Sequence, residues 1–152
     1  MKKRSEVDVK ETWKIEDLFK DDEDFLKNLE ELKNLSGNFS KNYKTLNSSE
    51  EVYKALEDFD KINGLTDRLG TFAGISMETD TTDANMAKRY AHFTKEMSKI
   101  DGELSFFHSL LAKLDKSLLE EVKKAHPEYT YYLDRIIKES KYLLTDESEK
   151  IL

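Results

Sequence analysis

The sequence has no cysteine, one proline and five glycines among its 152 residues. Without cysteine the chain forms no disulfide, no cysteine-ligated zinc site and no thiol nucleophile. All-β folds need many more turn-forming residues, so the scarcity of proline and glycine predicts long helices. No apolar run approaches the ~18 residues that a membrane-spanning helix needs, and no apolar signal segment opens the chain. We therefore expect an all-α, cytoplasmic protein.

The charge balance argues against two classes of partner. Lysine and arginine number 25 and aspartate and glutamate 32, which gives a net charge of −7. Nucleic acids and anionic membranes repel a surface of that sign, so we expect neither as a partner. An aromatic content of 11% is too high for a disordered chain. We expect a disordered or frayed N-terminus over residues 1–12 and one helical domain over residues 13–152.

The first half of the chain predicts two helices. The apolar cluster Thr12–Phe19 is expected to bury Trp13 and Phe19. Apolar residues at 3–4 spacing predict a helix over about 22–35, ended by Ser36–Asn38. A second helix is expected from Ser48 to about Met77, followed by cap and turn residues over 79–83. Ser48 and Glu51 fit a capping box, in which two side chains satisfy free backbone N–H groups.

The third helix carries the most regular apolar pattern in the sequence. Its nine apolar positions alternate in spacing between four and three residues, which predicts an unbroken helix of 29 residues, about 43 Å long. These positions are Met86, Tyr90, Phe93, Met97, Ile100, Leu104, Phe107, Leu111 and Leu114. Such a stripe needs a helical partner, so we expect a long antiparallel hairpin with the second helix, with the six residues from Phe93 to Leu111 mostly buried.

The last third of the sequence predicts shorter helices packed on this hairpin. Ser117–Ala125 is expected to be a helix with a capping box formed by Ser117 and Glu120, and Pro127 separates it from a helix over about 128–143. Thr145 is expected to cap a final helical segment over 146–152.

The histidines offer no catalytic arrangement. His92 and His108 are 16 residues apart on one predicted helix, which separates them by about 24 Å along its axis and about 160° around it. They cannot share a metal ion, and the zinc-binding motif H-E-x-x-H is absent. His92 and Glu96 form an i, i+4 pair that fits a solvent-exposed contact better than a metal site. We expect no catalytic residue, no metal ligand and no cofactor within this chain.

Aromatic residues are the best candidates for a binding surface. Two groups stand out: Phe106 with Phe107, and Tyr129 with Tyr131 and Tyr132. We expect them to be core and interface residues; a peptide-binding wall could use the same side chains and stays open as the alternative. The spacing of Gly70 and Gly74 predicts close approach of a neighbouring helix.

Several segments together resemble a known peptidase family. Trp13–Phe19 resembles the W-x-L-x-D-L-[YF] opening of oligoendopeptidase F proteins, which are zinc peptidases related to thimet oligopeptidase. Phe72–Asp83 is similar to their Y-A-x-L…x-D-T-T-D stretch, and Leu104–Phe107 to a following phenylalanine pair. Tyr132–Arg135 and Tyr142–Leu152 resemble Y-L-x-x-x-R…H-x-L-S-x-x-x-E-x-L-L. Order and spacing agree from Trp13 to the last residue.

The resemblance implies a part of a larger enzyme. Family members are several hundred residues long, mostly helical, and cleave short peptides within a deep channel. Their H-E-x-x-H motif and later glutamate ligand have no counterpart here, so zinc and catalysis are expected only in the full-length relative. The chain is expected to be the non-catalytic N-terminal helical region that helps wall the peptide channel. Its expected partner is the catalytic C-terminal segment, joined covalently or in trans.

Two further expectations follow from this interpretation. Apolar residues that dock on the catalytic segment would be uncovered in the isolated chain, which favours self-association. Candidates are Ile151 and Leu152, Trp13 and Phe19, and the surface near Tyr129–Tyr132. The alternative is a stand-alone helical module that binds another protein through the heptad stripe.

Overall fold

The computed structural model describes residues 6–149, with side chains as far as Tyr142. These residues are helical, with no strand among them, so the predicted all-α class is confirmed. The α-helices, in chain order, are α1 Asp22–Asn42, α2 Ser49–Thr79, α3 Ala84–Leu104, α4 Phe106–Lys113, α5 Lys116–Ala125 and α6 Thr130–Glu149. Short 3-10 turns span Val9–Glu11, Ile15–Asp17 and Pro127–Tyr129. No helix of the described part is both long and apolar enough to cross a membrane.

The chain divides into two compact units. Unit 1 comprises Met1–Asn38 and Asp60–Gly102, and unit 2 comprises Phe39–Phe59 and Glu103–Leu152. Helices α1 and α2 each contribute residues to both units. The prediction of a single domain over residues 13–152 beside a frayed N-terminus is not tested by this division, and residues 1–5 lie outside the described part.

Unit 1 is built around three phenylalanine rings. Phe19 lies edge-on to Phe25 and Phe72, with ring centroids 6.1 and 5.4 Å away, and Phe25 stacks on Phe72 at 5.4 Å. The guanidinium of Arg68 lies 5.2 Å from the centroid of Phe19 and donates a hydrogen bond to the Leu18 carbonyl. These contacts fix the turn before α1, so the predicted burial of Phe19 is confirmed, and its expected availability for docking is wrong.

Trp13 departs from the expected burial. Its side chain is 80% exposed, because only Ile15 and Phe19 of this segment turn into the core. Within the apolar cluster Thr12–Phe19, Ile15 and Phe19 are therefore buried, whereas the largest side chain, that of Trp13, is exposed. This exposure agrees with the separate expectation that Trp13 is uncovered in the isolated chain.

Helix α1 continues seven residues beyond its predicted end. Ser36 is fully buried, and its hydroxyl donates to the Leu32 carbonyl at 2.9 Å, so this potential helix terminator is satisfied within the helix. Phe39 beyond it is 2% exposed and extends the buried face. Burial of Phe39 outweighs the weak helix propensity of Gly37.

The third predicted helix is interrupted. It ends at Leu104, and α4 starts at Phe106. Ser105 between them keeps helical angles, φ −58° and ψ −27°, so the interruption is a local irregularity in a backbone that otherwise follows the helix. Among the six residues expected to be mostly buried, Ile100, Phe107 and Leu111 are buried, and the other three are half-buried.

The connection between α2 and α3 is capped as its composition predicts. The Asp80 carboxylate accepts from the Thr82 amide at 3.0 Å, and the Asp83 carboxylate accepts from the Asn85 amide at 2.8 Å.

A Cβ atom on Gly70 would lie 3.3 Å from the Phe93 ring, which confirms close approach at Gly70, whereas a Cβ atom on Gly74 would have nothing within 4 Å. The hairpin over its full length stays a prediction.

Three predicted caps differ in detail. Glu51 accepts from the Asn47 amide instead of returning to Ser48, although Ser48 does accept from the Glu51 amide. Helix α5 is capped by Asp115, whose carboxylate accepts from the Ser117 amide at 3.1 Å; the predicted box of Ser117 and Glu120 is therefore wrong. Helix α6 runs through Thr145 without a break, so Thr145 begins no new helix. Ile151 and Leu152 lie outside the described residues.

Candidate functional site

Phe106 and Phe107 belong to an aromatic cluster in unit 2. Phe107 has no exposed surface, and its ring lies 4.9 Å from the rings of both Phe39 and Phe59. Phe106 is half-buried, 6.4 Å from Phe107 and 6.1 Å from Phe39. Phe107 is therefore a core residue, which leaves the other four predicted site residues as candidates for a surface role.

Tyr43 closes one side of this cluster. Its ring lies 4.8 Å from that of Phe39, and its hydroxyl donates to the Asp58 carboxylate at 2.6 Å. Burial, together with this hydrogen bond, raises the pKa of Tyr43 to about 12. The phenol stays neutral at ordinary pH, so this hydrogen bond orders the core and does not prepare a proton for transfer.

Tyr129 lies at a second aromatic group, where α2 meets the junction of α5 and α6. Tyr53 stacks face to face on His126, with ring centroids 3.4 Å apart and planes 7° apart, and Tyr129 lies edge-on to Tyr53 at 6.1 Å. The Tyr53 hydroxyl donates to Glu57 at 2.7 Å, and this hydrogen bond raises the pKa of Tyr53. The role of Tyr53 could not be read from the sequence, because His126 and Tyr129, the residues that its ring contacts, are distant in the chain.

Tyr131 and Tyr132 take different positions on α6. Tyr131 is 78% exposed, whereas Tyr132 is half-buried beside the core residue Leu133. Helical geometry separates consecutive residues by about 100°, so neighbours in sequence point in different directions. The predicted residues are thus not gathered into one site: the phenylalanines join the core cluster, Tyr129 joins the Tyr53 stack and Tyr131 faces solvent.

The carboxylates near His92 and His108 have defined ion-pair partners. Glu96 is buried and contacts Lys99 at 2.9 Å and Lys33 at 3.5 Å, so the expected solvent-exposed pair of His92 and Glu96 is wrong. The Lys99 hydrogen bond lowers the pKa of Glu96, so its negative charge is held by lysines rather than offered to a metal beside His92. His108 pairs with Glu139 at 2.8 Å. In the described part of the chain, no group of three or more histidine, cysteine, aspartate or glutamate residues is placed to hold a metal ion.

Unit 1 contains a cleft that the sequence did not indicate. Its volume is about 300 Å³, and its lining includes Phe19, Phe72, Met86 and Arg89. The Arg89 guanidinium lies 4.9 Å from the Phe72 centroid and pairs with Asp22, and its Nε has no hydrogen-bond partner among the described residues. The Asp22 carboxylate thus pairs with the guanidinium, and Lys20 and Asp21 add further charged groups to the lining of the cleft.

Comparison with known proteins confirms the resemblance found in the sequence. The chain is 28% identical to Oligopeptidase PepF of Bacillus subtilis over 164 aligned residues, which cover 98% of this chain and 23% of that protein. It is 23% identical over 156 aligned residues to an Oligoendopeptidase F homolog of Borreliella burgdorferi, with 98% of this chain and 26% of that protein covered. The chain thus spans about a quarter of the length of these curated relatives. No protein-family model and no solved structure matches it.

Proposed function

We propose that this chain is the non-catalytic N-terminal helical region of a cytoplasmic zinc metallo-oligoendopeptidase that hydrolyses short peptides, and that it helps wall the peptide channel. The observation that carries the proposal is the coverage: both relatives align with 98% of this chain, and it spans about a quarter of each. A region that aligns throughout with a minor part of a peptidase is most simply a part of such an enzyme. Fold alone would not support a function.

The chemistry of the described side chains supports a scaffolding role. Catalytic zinc sites use three protein ligands and an activated water molecule. Here Glu96 is engaged by lysines and His108 by Glu139. The larger aromatic side chains fill the cores of the two units, which gives them the rigidity that a channel wall requires. Zinc and the hydrolytic step belong to the catalytic segment.

The isolated chain tests the first part of the proposal. After dialysis, metal analysis should find no bound zinc, and a quenched-fluorescent peptide should not be cleaved. One equivalent of retained zinc with chelator-sensitive turnover would contradict the non-catalytic assignment.

A chimera tests the second part. This chain would replace the aligned segment of the Bacillus subtilis relative, and the matched control would be the same relative with that segment deleted. We expect the chimera to cleave the peptide and the deletion control to be inactive, because the wall of the channel completes the substrate site. A chimera no more active than the control, beside an active parent relative, would favour the alternative of a stand-alone helical interaction module.

A further inference from the structure

The outer face of α6 carries two exposed aromatic rings. Tyr131 is 78% exposed and Tyr142 is 66% exposed. They are eleven residues apart, which places them within about 20° of one another around the helix and about 16 Å apart along it. Arg135 and Lys138, both exposed, fall between them within a sector about 60° wide. We name these four residues the α6 stripe.

The α6 stripe lies opposite the buried face of the same helix. Leu133, Ile136 and Ser140 are buried, and their directions centre about 180° from that of Tyr131. A helix on the surface of a globular domain normally presents polar and charged residues on the side away from the core. Tyr131 and Tyr142 keep 78% and 66% of their surface exposed at that position, so the packing of unit 2 covers only a minor part of either residue.

The chemistry of the α6 stripe selects a kind of partner. Its spacing of four, three and four residues is that of a helix seam, which packs along another helix. Tyrosine and arginine are enriched in protein interfaces and among the residues that dominate binding energy. Arg135 has a neighbouring carboxylate in Glu139 at 3.5 Å, while Lys138 adds a second positive charge. The chain as a whole has a net charge of −7, so the positive charges of Arg135 and Lys138 stand out locally. They complement acidic side chains on a partner.

We propose that the α6 stripe is the docking surface for a helix with acidic side chains, located in the part of the oligoendopeptidase F-like protein outside this chain. This inference rests on the proposed function. The relatives are about four times as long as this chain, so such a protein has ample length to supply the partner helix. Tyr131 and Tyr142 pack at the two ends of the contact, and Arg135 and Lys138 pair with acidic residues between them.

The cysteine-free sequence permits a direct test by thiol labelling. A Tyr131→Cys variant would be made in the isolated chain and in the chimera, and the rate of maleimide modification at that position measured by peptide mass analysis. Glu121→Cys, at an exposed position of α5, is the matched control. We expect modification of Tyr131→Cys to be at least tenfold slower in the chimera than in the isolated chain, with the control unchanged. Adding Lys138→Glu should restore part of the lost rate.

The outcomes separate this inference from the proposed function. An active chimera in which Tyr131→Cys reacts as fast as in the isolated chain overturns the docking surface and leaves the proposed function standing. An inactive chimera with protection at Tyr131→Cys supports the docking surface while the proposed function fails. Slower modification of the isolated chain as its concentration rises identifies a second copy as the occupant, and protection by anionic vesicles identifies a membrane; either result overturns the proposal.

Discussion

Truncation of Phe107 should be among the most damaging single changes in unit 2. The side chain has no exposed surface, and its ring lies 4.9 Å from two other rings. Phe→Ala changes in protein cores cost about 3–5 kcal/mol, and each aromatic pair adds about 0.5–1.5 kcal/mol beyond area burial. We therefore expect Phe107→Ala to lower the free energy of unfolding by about 4–5 kcal/mol, against a typical total of about 5–15 kcal/mol.

Urea unfolding followed by circular dichroism measures this difference. Phe107→Leu keeps most of the apolar volume and should cost roughly 1–2 kcal/mol, which provides a folded variant if the alanine form does not fold. Tyr131→Ala is the matched control, because its exposed ring should change stability by less than about 0.5 kcal/mol. A Phe107→Ala midpoint close to the wild-type value would refute the assignment of Phe107 to the core.

Three other predictions test separate parts of the structure. Gly74→Ala should stabilise the protein by about 0.5–1 kcal/mol in thermal unfolding. Gly70→Ala should stabilise it less, because the added Cβ would lie 3.3 Å from the Phe93 ring. A larger stabilisation by Gly70→Ala than by Gly74→Ala would contradict this packing. The ion pairs with Lys99 and Lys33 lower the pKa of Glu96 in the folded protein. These pairs therefore stabilise the fold fully above about pH 4.5, and that stabilisation is lost as the pH falls through the lowered pKa of Glu96. Glu96→Gln should thus be less stable than wild type at pH 7, and the difference should shrink as the pH falls below about 4.5; a difference that stays constant through acidic pH would count against this pairing. Trp13, the one tryptophan, should emit like a water-exposed indole and be readily quenched by iodide; emission typical of a buried indole would place it in the core.

The sequence was a good guide to the helices and a poor guide to their ends. The apolar period located the helical stretches of the described residues, because that period reflects which face is buried, but it predicted α3 and α4 as one helix. The end of α1 was missed because Ser36 looks like a terminator in sequence, yet its hydroxyl bonds to the Leu32 carbonyl. The interruption at Ser105 was missed because its helical angles leave the heptad spacing intact.

Side-chain environments were harder to predict than helices. Phe107 and Tyr131 are both aromatic, and composition alone could not separate the core position from the exposed one. The periodicity around α6 does separate Tyr131 from Leu133, since it places them about 160° apart, so this part of the surface could have been identified from the sequence. The contact of Arg89 with Phe72 joins residues on different helices, and no local pattern indicates it.

If this chain forms part of the wall of a peptide channel, the rate of cleavage should depend on the length of the peptide. The chimera would be assayed against quenched-fluorescent peptides of increasing length, beside the parent relative and the control in which the aligned segment is deleted. We expect the chimera and the parent alike to cleave short peptides and to lose activity as peptide length increases, because an intact wall limits what enters the channel. Cleavage by the deletion control with the same rate and the same length profile as the parent would contradict it.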